Sequence, residues 1–260
     1  MRLDVPMAAA DLASWRKLAR QIVPQGARRR LRRAALLREY AGDAVDCPCC
    51  EYSFREFAPD GRGNPNRICP SCDAHQRHRL LAYWLDEELP SWSTGPIDVL
   101  HFAPEPIMEP RLRGIAREYL STDLDAPQAM LHADIQSLPL SDDAFDLVVC
   151  SHVLEHVPDD RQAMRELARV LKPGGRALIL VPMDVARPDT YEDPAITEPE
   201  DRVRAFWQAD HMRLYGRDAP NRMRDAGLTV LVDRYAESLP ADVIARHAMG
   251  SPGMFVCSVE

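Results

Sequence analysis

The stretch from Asp143 to Met183, DAFDLVVCSHVLEHVPDDRQAMRELARVLKPGGRALILVPM, leaves the chain few folds to choose from. Phe145 to Cys150 is a short, β-branched run between polar residues, the pattern of a strand buried on both faces. Past Asp159-Asp160, Met164, Leu167, Val170 and Leu171 recur at helical spacing, with Arg161, Arg165 and Arg169 on the opposite side. Pro173-Gly174-Gly175 is the expected helix stop, because glycine adopts the left-handed turn that closes helices. Ala177 to Val181 is a second apolar run. A strand, a crossover helix and a strand make one right-handed parallel unit of an α/β sheet. Ligands of such sheets sit beyond the carboxyl ends of the strands, so Ser151 to His156 are expected to face a site.

A second pattern is equally restrictive. Cys47-Pro48-Cys49-Cys50, a gap of 18 residues (51–68) and Cys69-Pro70-Ser71-Cys72 form CxxC…CxxC. Each pair offers two thiolates from one tight turn, and two pairs complete a tetrahedron around Zn²⁺ with no position left open. The expected ligands are Cys47, Cys50, Cys69 and Cys72, with Cys49 as the alternative to Cys50 and His75 and His78 as spare candidates on the following helix. Gly61, Gly63, Pro65 and Asn66 give the gap the composition of a hairpin tip, so a small structural zinc ribbon is expected. The other two cysteines, Cys150 and Cys257, fall in predicted strands. No apolar run approaches the ~20 residues that span a bilayer, and the N-terminus carries no apolar signal region, which makes a cytoplasmic location the expectation. In that reducing setting, clustered cysteines point to metal rather than disulfides.

Charge is unevenly spread. The chain totals −8, yet residues 1–43 carry a net +6, which leaves −14 on the remainder. That first segment reads as basic and helical, densest at Ala27–Tyr40 (ARRRLRRAALLREY). It suits either a solvated helix or a contact with an anionic surface or an acidic partner. The acidic remainder would repel a phosphate backbone, which argues against nucleic acid as partner.

The other elements follow from period and punctuation. A helix over Ala74–Glu88 carries Leu80, Leu81, Trp84 and Leu85 on one face and should pack the ribbon against the main domain; Pro90 to Pro96 reads as a linker. Ile97–Ala103 and Glu118–Leu124 read as strands; helix Asn221–Ala226 and strands Leu228–Val232 and Met254–Val259 close the chain. Between Asp184 and Arg217 the connection is polar and too long for a simple loop, as lids and substrate pockets are. There, Thr197 before Pro199 predicts a helix start, and Val203, Phe206 and Trp207 should bury that helix. Asp210, His211, Arg213 and Tyr215 concentrate functional side chains just after it. The expected organisation is a basic segment 1–43, a ribbon with its packing helix at 44–89, and a main domain 96–260 with an insertion at about 184–217.

Several of these stretches resemble one family. FDLVVCSHVLEHV, the acidic helix start, ELARVLKPGG and the strand after it are similar to the centre of a class I S-adenosylmethionine (SAM) dependent methyltransferase of the type 11 branch. CPSCDAHQRHRLL and the DHxRxYG run at Asp210–Gly216 resemble a bacterial subgroup with an N-terminal zinc ribbon. The resemblance implies an α/β, doubly wound, Rossmann-like seven-stranded sheet. It also implies that Asp123 takes the ribose hydroxyls of SAM, that Asp134 accepts from the adenine amino group, and that Ser151 and Glu155 line the cofactor. One departure stands out. Where most members place an acidic residue and GxGxG, this chain has His101-Phe102-Ala103-Pro104-Glu105-Pro106, and its prolines lack N–H donors. His101, Ala103 and Glu105 are the cofactor candidates in that turn, with Glu105 placed to pair with the SAM ammonium group.

Methyl transfer is an in-line displacement on an activated donor, so the protein must align the acceptor and, for a hydroxyl, remove its proton. His156, His211 and His152 are the candidate bases. The expected function is SAM-dependent methylation of a small-molecule or saccharide-type hydroxyl. The alternatives are an RNA methyltransferase and an inactive methyltransferase-fold binding protein.

Overall fold

The computed structural model describes residues 24–250 and 253–260, so the expectation for residues 1–23 lies outside the described residues. Helix α1 (Gln25–Glu39) carries the arginine run, and β1 (Ala41–Asp46) pairs antiparallel with β2 (Ser53–Phe54) in the ribbon. The ribbon thus begins before the boundary expected at 43/44. Helices α2 (Gln76–Glu87) and α3 (Leu89–Trp92) lead into the main sheet, so part of the expected linker is helical.

The sheet is built from β3 (Ile97–Phe102), β4 (Ala116–Asp123) after α4 (Glu109–Ile115), β5 (Leu131–His132), β6 (Phe145–Ser151), and β7 (Leu171–Leu180) after α5 (Asp160–Val170). An insertion follows, with β8 (Tyr191–Glu192), α6 (Pro199–Phe206) and β9 (Arg213–Leu214). Helix α7 (Ala219–Asp225), β10 (Thr229–Val232), α8 (Tyr235–Ser238), α9 (Ala241–His247) and β11 (Met254–Ser258) complete it. The order is β10-β11-β7-β6-β3-β4-β5, seven strands, with β11 antiparallel to both neighbours and the other pairings parallel. This is the doubly wound sheet expected. The chain runs outward from β3 to β5, then returns to β6 on the other side of β3, which puts the topological switch between β3 and β6.

Both faces of the sheet are covered. One core joins Leu100, Val148 and Ile179 to Met164 and Leu167 of α5 and Met223 of α7. The other joins Val99, Val149 and Leu178 to Leu80, Leu81, Trp84 and Leu85 of α2. Helix α2 therefore does more than dock the ribbon: it is one of the sheet's own covering helices. No helix among the described residues is long and apolar enough to cross a membrane.

Three local expectations are corrected. Helix α5 ends at Val170, because Leu171 is already extended and pairs with Phe145. Pro173-Gly174-Gly175 lies within β7, where the register against β6 slips. Glycine is needed there because a Cβ on Gly175 would meet the Asp146 carbonyl oxygen at 2.9 Å. Helix α6 has Glu198 rather than Thr197 at its N-cap, without a side-chain cap. Of its expected buried residues only Phe206 is buried, while Val203 and Trp207 are exposed.

Candidate active site

The carboxyl ends of β3, β4 and β6 bring His101, Asp123 and Ser151 to one edge of the sheet, with Phe102 opposite Cys150 across the switch point. At the end of β3 the chain turns through Ala103, whose φ of 48° is the left-handed conformation that glycine adopts more readily. The Ala103 amide donates to the Thr122 carbonyl at 2.9 Å, which ties this turn to β4. His101 is fully buried; its Nδ1 lies 2.9 Å from the Tyr119 hydroxyl, and its Nε2 has no protein partner. Burial pushes the His101 imidazole down to about 4.

Glu105 is held from the ribbon side. Its Oε1 accepts from Arg77 Nη2 and lies against His78 Nε2, both at 2.6 Å, while its buried Oε2 is unpartnered. Burial alone would raise the Glu105 carboxyl, but His78 and Arg77 outweigh it and hold it at about 2. The two histidines first weighed as spare zinc ligands sit at the start of α2 instead: His75 is the N-cap, and its amide donates to His78 Nδ1 at 3.1 Å. His78 is thereby aimed at Glu105 in the turn after β3.

Asp123 is half-buried, and its Oδ1 accepts from the amides of Asp125 and Ala126 at 2.9 and 2.8 Å. Asp134 is exposed and accepts from the Gln136 amide at 2.8 Å. Each aspartate therefore shapes its own turn. Ser151 is buried with an unpartnered Oγ, and Thr122 Oγ1, on β4 across β3, is likewise unpartnered.

The loop after β6 carries the densest chemistry. His152, at φ 56°, places Nδ1 3.0 Å from Glu155 Oε1, and Glu155 is fully buried with Oε2 unpartnered. The rings of His156 and His211 meet edge to face, 4.8 Å between centroids. His156 Nδ1 lies 3.3 Å from Asp210, and His211 Nδ1 lies 2.8 Å from the Phe206 carbonyl. Burial holds the His211 imidazole below its usual range, and its Nε2 has no partner.

Arg213 and Tyr215, suspected of facing the site, stand behind it. Arg213 donates to the carbonyls of Leu154, Val157 and Pro158 at 2.7–2.8 Å and so clamps the loop that presents Glu155 and His156. Tyr215 and Arg222 donate to buried Asp160, and Glu192 bridges both arginines. Asp160, Glu192 and Arg222 escaped the sequence reading; a buried acid at the start of a helix was the one signal available.

Among the described residues, six of the seven buried polar side-chain atoms without a partner belong to His101, Glu105, Thr122, Ser151, Glu155 and His211. Buried polar groups are normally paired, so this clustering fits a polar ligand at the strand ends. A cavity of about 280 Å³ is lined by His75, Gln76 and Arg77 of the ribbon side and by His152, Pro182 and Trp207 of the sheet side; none of the six residues with unpartnered atoms lines it. A larger one, about 1070 Å³, lies between the α1 arginines and Pro70–Asp73 and shares no residue with the strand ends.

In the ribbon, Cys47, Cys50, Cys69 and Cys72 gather, and Cys49 stands outside the group. Sγ atoms of Cys47 and Cys72, and of Cys50 and Cys69, are 3.7 Å apart. A tetrahedron with metal–sulfur bonds of ~2.3 Å has edges of about 3.8 Å, so the four sulfurs fit Zn²⁺.

Comparison with known proteins gives the site its context. Residues 108–179 match the family described as methyltransferase domain. An uncharacterized methyltransferase, YcgJ, of Bacillus subtilis is 38% identical over 80 residues, 30% of this chain and 28% of that protein. A demethylmenaquinone methyltransferase of Clavibacter sepedonicus is 51% identical over 49 residues, 19% of this chain and 20% of that protein. The solved structure of YcgJ overlaps with a TM-score of 0.43 at 19% identity, covering 67% of this chain and 94% of that one. The chain thus spans less than a third of the length of the curated relatives it matches. Residues 108–179, which run from the end of the turn after β3 into β7 of the seven-stranded sheet, are thus similar to a methyltransferase domain.

Proposed function

We propose that this protein transfers a methyl group from SAM to an oxygen of a small-molecule or saccharide-type acceptor, with Zn²⁺ held structurally in the ribbon. The observation that carries the reading is that His101, Glu105 and Ser151 leave buried polar atoms unpartnered at the switch point. Bound SAM supplies an electrophilic methyl on a sulfonium; the remaining work belongs to the chain. Asp123 would hold the ribose through the oxygen its turn leaves free, and Asp134 would accept from the adenine. Glu105 Oε2 is the acceptor suited to the ammonium group, since Arg77 and His78 occupy Oε1. His101 and Ser151 offer a ring nitrogen and a hydroxyl to the same ligand. The cavity between ribbon and sheet would take the acceptor, with His152 at its wall as a base for the hydroxyl proton.

In the ribbon, Cys47, Cys50, Cys69 and Cys72 would close around Zn²⁺, contributing ~10–16 kcal/mol of apparent binding energy to folding. Titration calorimetry with SAM tests the central claim. Heat of binding is expected, and Asp123→Ala should weaken it by about tenfold or more, since a charged hydrogen bond is worth ~1.5–3 kcal/mol. Absence of both heat and thermal shift at millimolar SAM would end the enzyme reading.

A further inference from the structure

Glu155, His156 and His211 bring one ligand atom each within 4.8 Å of the others, and every one of the three is oriented by a second group. Glu155 Oε1 is engaged by His152, which leaves Oε2 buried and bare. His211 places Nδ1 against the Phe206 carbonyl, so Nδ1 carries the proton and Nε2, also buried and bare, presents a lone pair. His156 has the Asp210 carboxylate 3.3 Å from Nδ1. A carbonyl or carboxylate behind each ligating histidine is the usual outer arrangement of protein metal sites, because it fixes the tautomer and raises ligand basicity. The placement of Glu155 and His156 is itself enforced, since Arg213 clamps their loop from behind.

We propose that Glu155, His156 and His211 form a second metal site, distinct from the ribbon, for a first-row divalent cation. Two imidazoles and one carboxylate favour such a cation over calcium, and they leave coordination positions open. A bare carboxylate oxygen and a bare imidazole nitrogen sharing a buried corner also explain each other: a cation satisfies both at once. Resting on the methyltransferase reading, the open positions would bind the acceptor through its oxygen atoms, which deepens the acceptor class to molecules with a metal-binding hydroxyl or adjacent pair of oxygens. His156 and His211 then act as ligands, and His152 is left as the base at the cavity wall.

The test uses the full chain with its ribbon zinc-loaded. Mn²⁺ is the probe, since thiolates hold it poorly, followed by calorimetry and by loss of the free Mn²⁺ paramagnetic resonance signal. One Mn²⁺ per chain is expected beyond the zinc. Glu155→Gln, which keeps the side chain's shape, and His156→Ala, at a half-exposed position, should each weaken binding about tenfold or more, given that even outer partners are worth about 10–100-fold. Zinc content and melting of both variants report that the fold is intact. No Mn²⁺ binding at millimolar concentration, or binding unchanged in both variants, overturns the proposal. SAM titrations on the same samples separate the two readings: SAM binding without Mn²⁺ binding removes this site alone, and Mn²⁺ binding without SAM binding keeps the site but removes its acceptor role.

Discussion

His101 makes a measurable statement about the site. Its imidazole is fully buried at the end of β3 and is pushed by burial to about 4 from an ordinary 6.5. The folded protein therefore resists protonation there, while the unfolded chain accepts a proton from pH 6.5 downward. Stability tied to this residue is complete above pH 6.5 and drains as pH falls toward 4. Between pH 7 and pH 5 the loss comes to about 2 kcal/mol from those two values. His101→Phe removes the titration and the Tyr119 hydrogen bond, the latter costing about 1 kcal/mol at either pH. Urea unfolding of both proteins at pH 7 and pH 5, with zinc saturating, isolates the difference. The wild-type protein should lose about 2 kcal/mol more than the variant over this interval. Equal losses would mean that His101 is already partnered, for instance by Glu105, and that its free nitrogen is not available to a ligand.

Two further outcomes follow from the ribbon's attachment. Arg79 is fully buried and donates to the carbonyls of Asn66, Arg67, Ala74, His247 and Ala248, so Arg79→Met should cost about 3–5 kcal/mol in guanidinium unfolding. A loss below about 1 kcal/mol would show that these acceptors find water instead. Chelating the ribbon metal should weaken SAM binding as well as unfold the ribbon, because Arg77 and His78 orient Glu105 from the first turn of α2. SAM affinity unchanged after complete zinc removal would break that link.

What the sequence disclosed depended on the reach of the interactions involved. The β6–α5–β7 unit and the cysteine pairs were legible because their signals are local: a period, a spacing, a run of apolar residues. The end of α5 was misread because two glycines within β7 resemble a helix stop, and what decides the matter is pairing of Leu171 with Phe145. Val203 and Trp207 have the right spacing for burial, yet α6 spans only eight residues of an insertion and buries Phe206 alone. The site's supports were illegible for a different reason. Asp160 meets Tyr215 55 residues away and Arg222 62 away, and His78 meets Glu105 across 27. Nothing in the local pattern of an arginine reveals whether it will be solvated or will clamp a loop. The short helices α4, α8 and α9 carry too few turns to show a period in the sequence.

The Arg79 contacts carry a consequence for the order of assembly. His247 and Ala248 lie 168 and 169 residues beyond Arg79, so on a ribosome two of its five acceptors emerge last. The cysteine pairs and the ribbon's own three carbonyls are available long before, and domains generally fold from the N-terminus during synthesis. Until His247 and Ala248 arrive, the Arg79 guanidinium lacks two of its five acceptors. Arrival of the end of α9 supplies them, so the burial of Arg79 between ribbon and C-terminal segment is completed only then, and α2, which carries Arg79, also carries the Arg77 and His78 that hold Glu105.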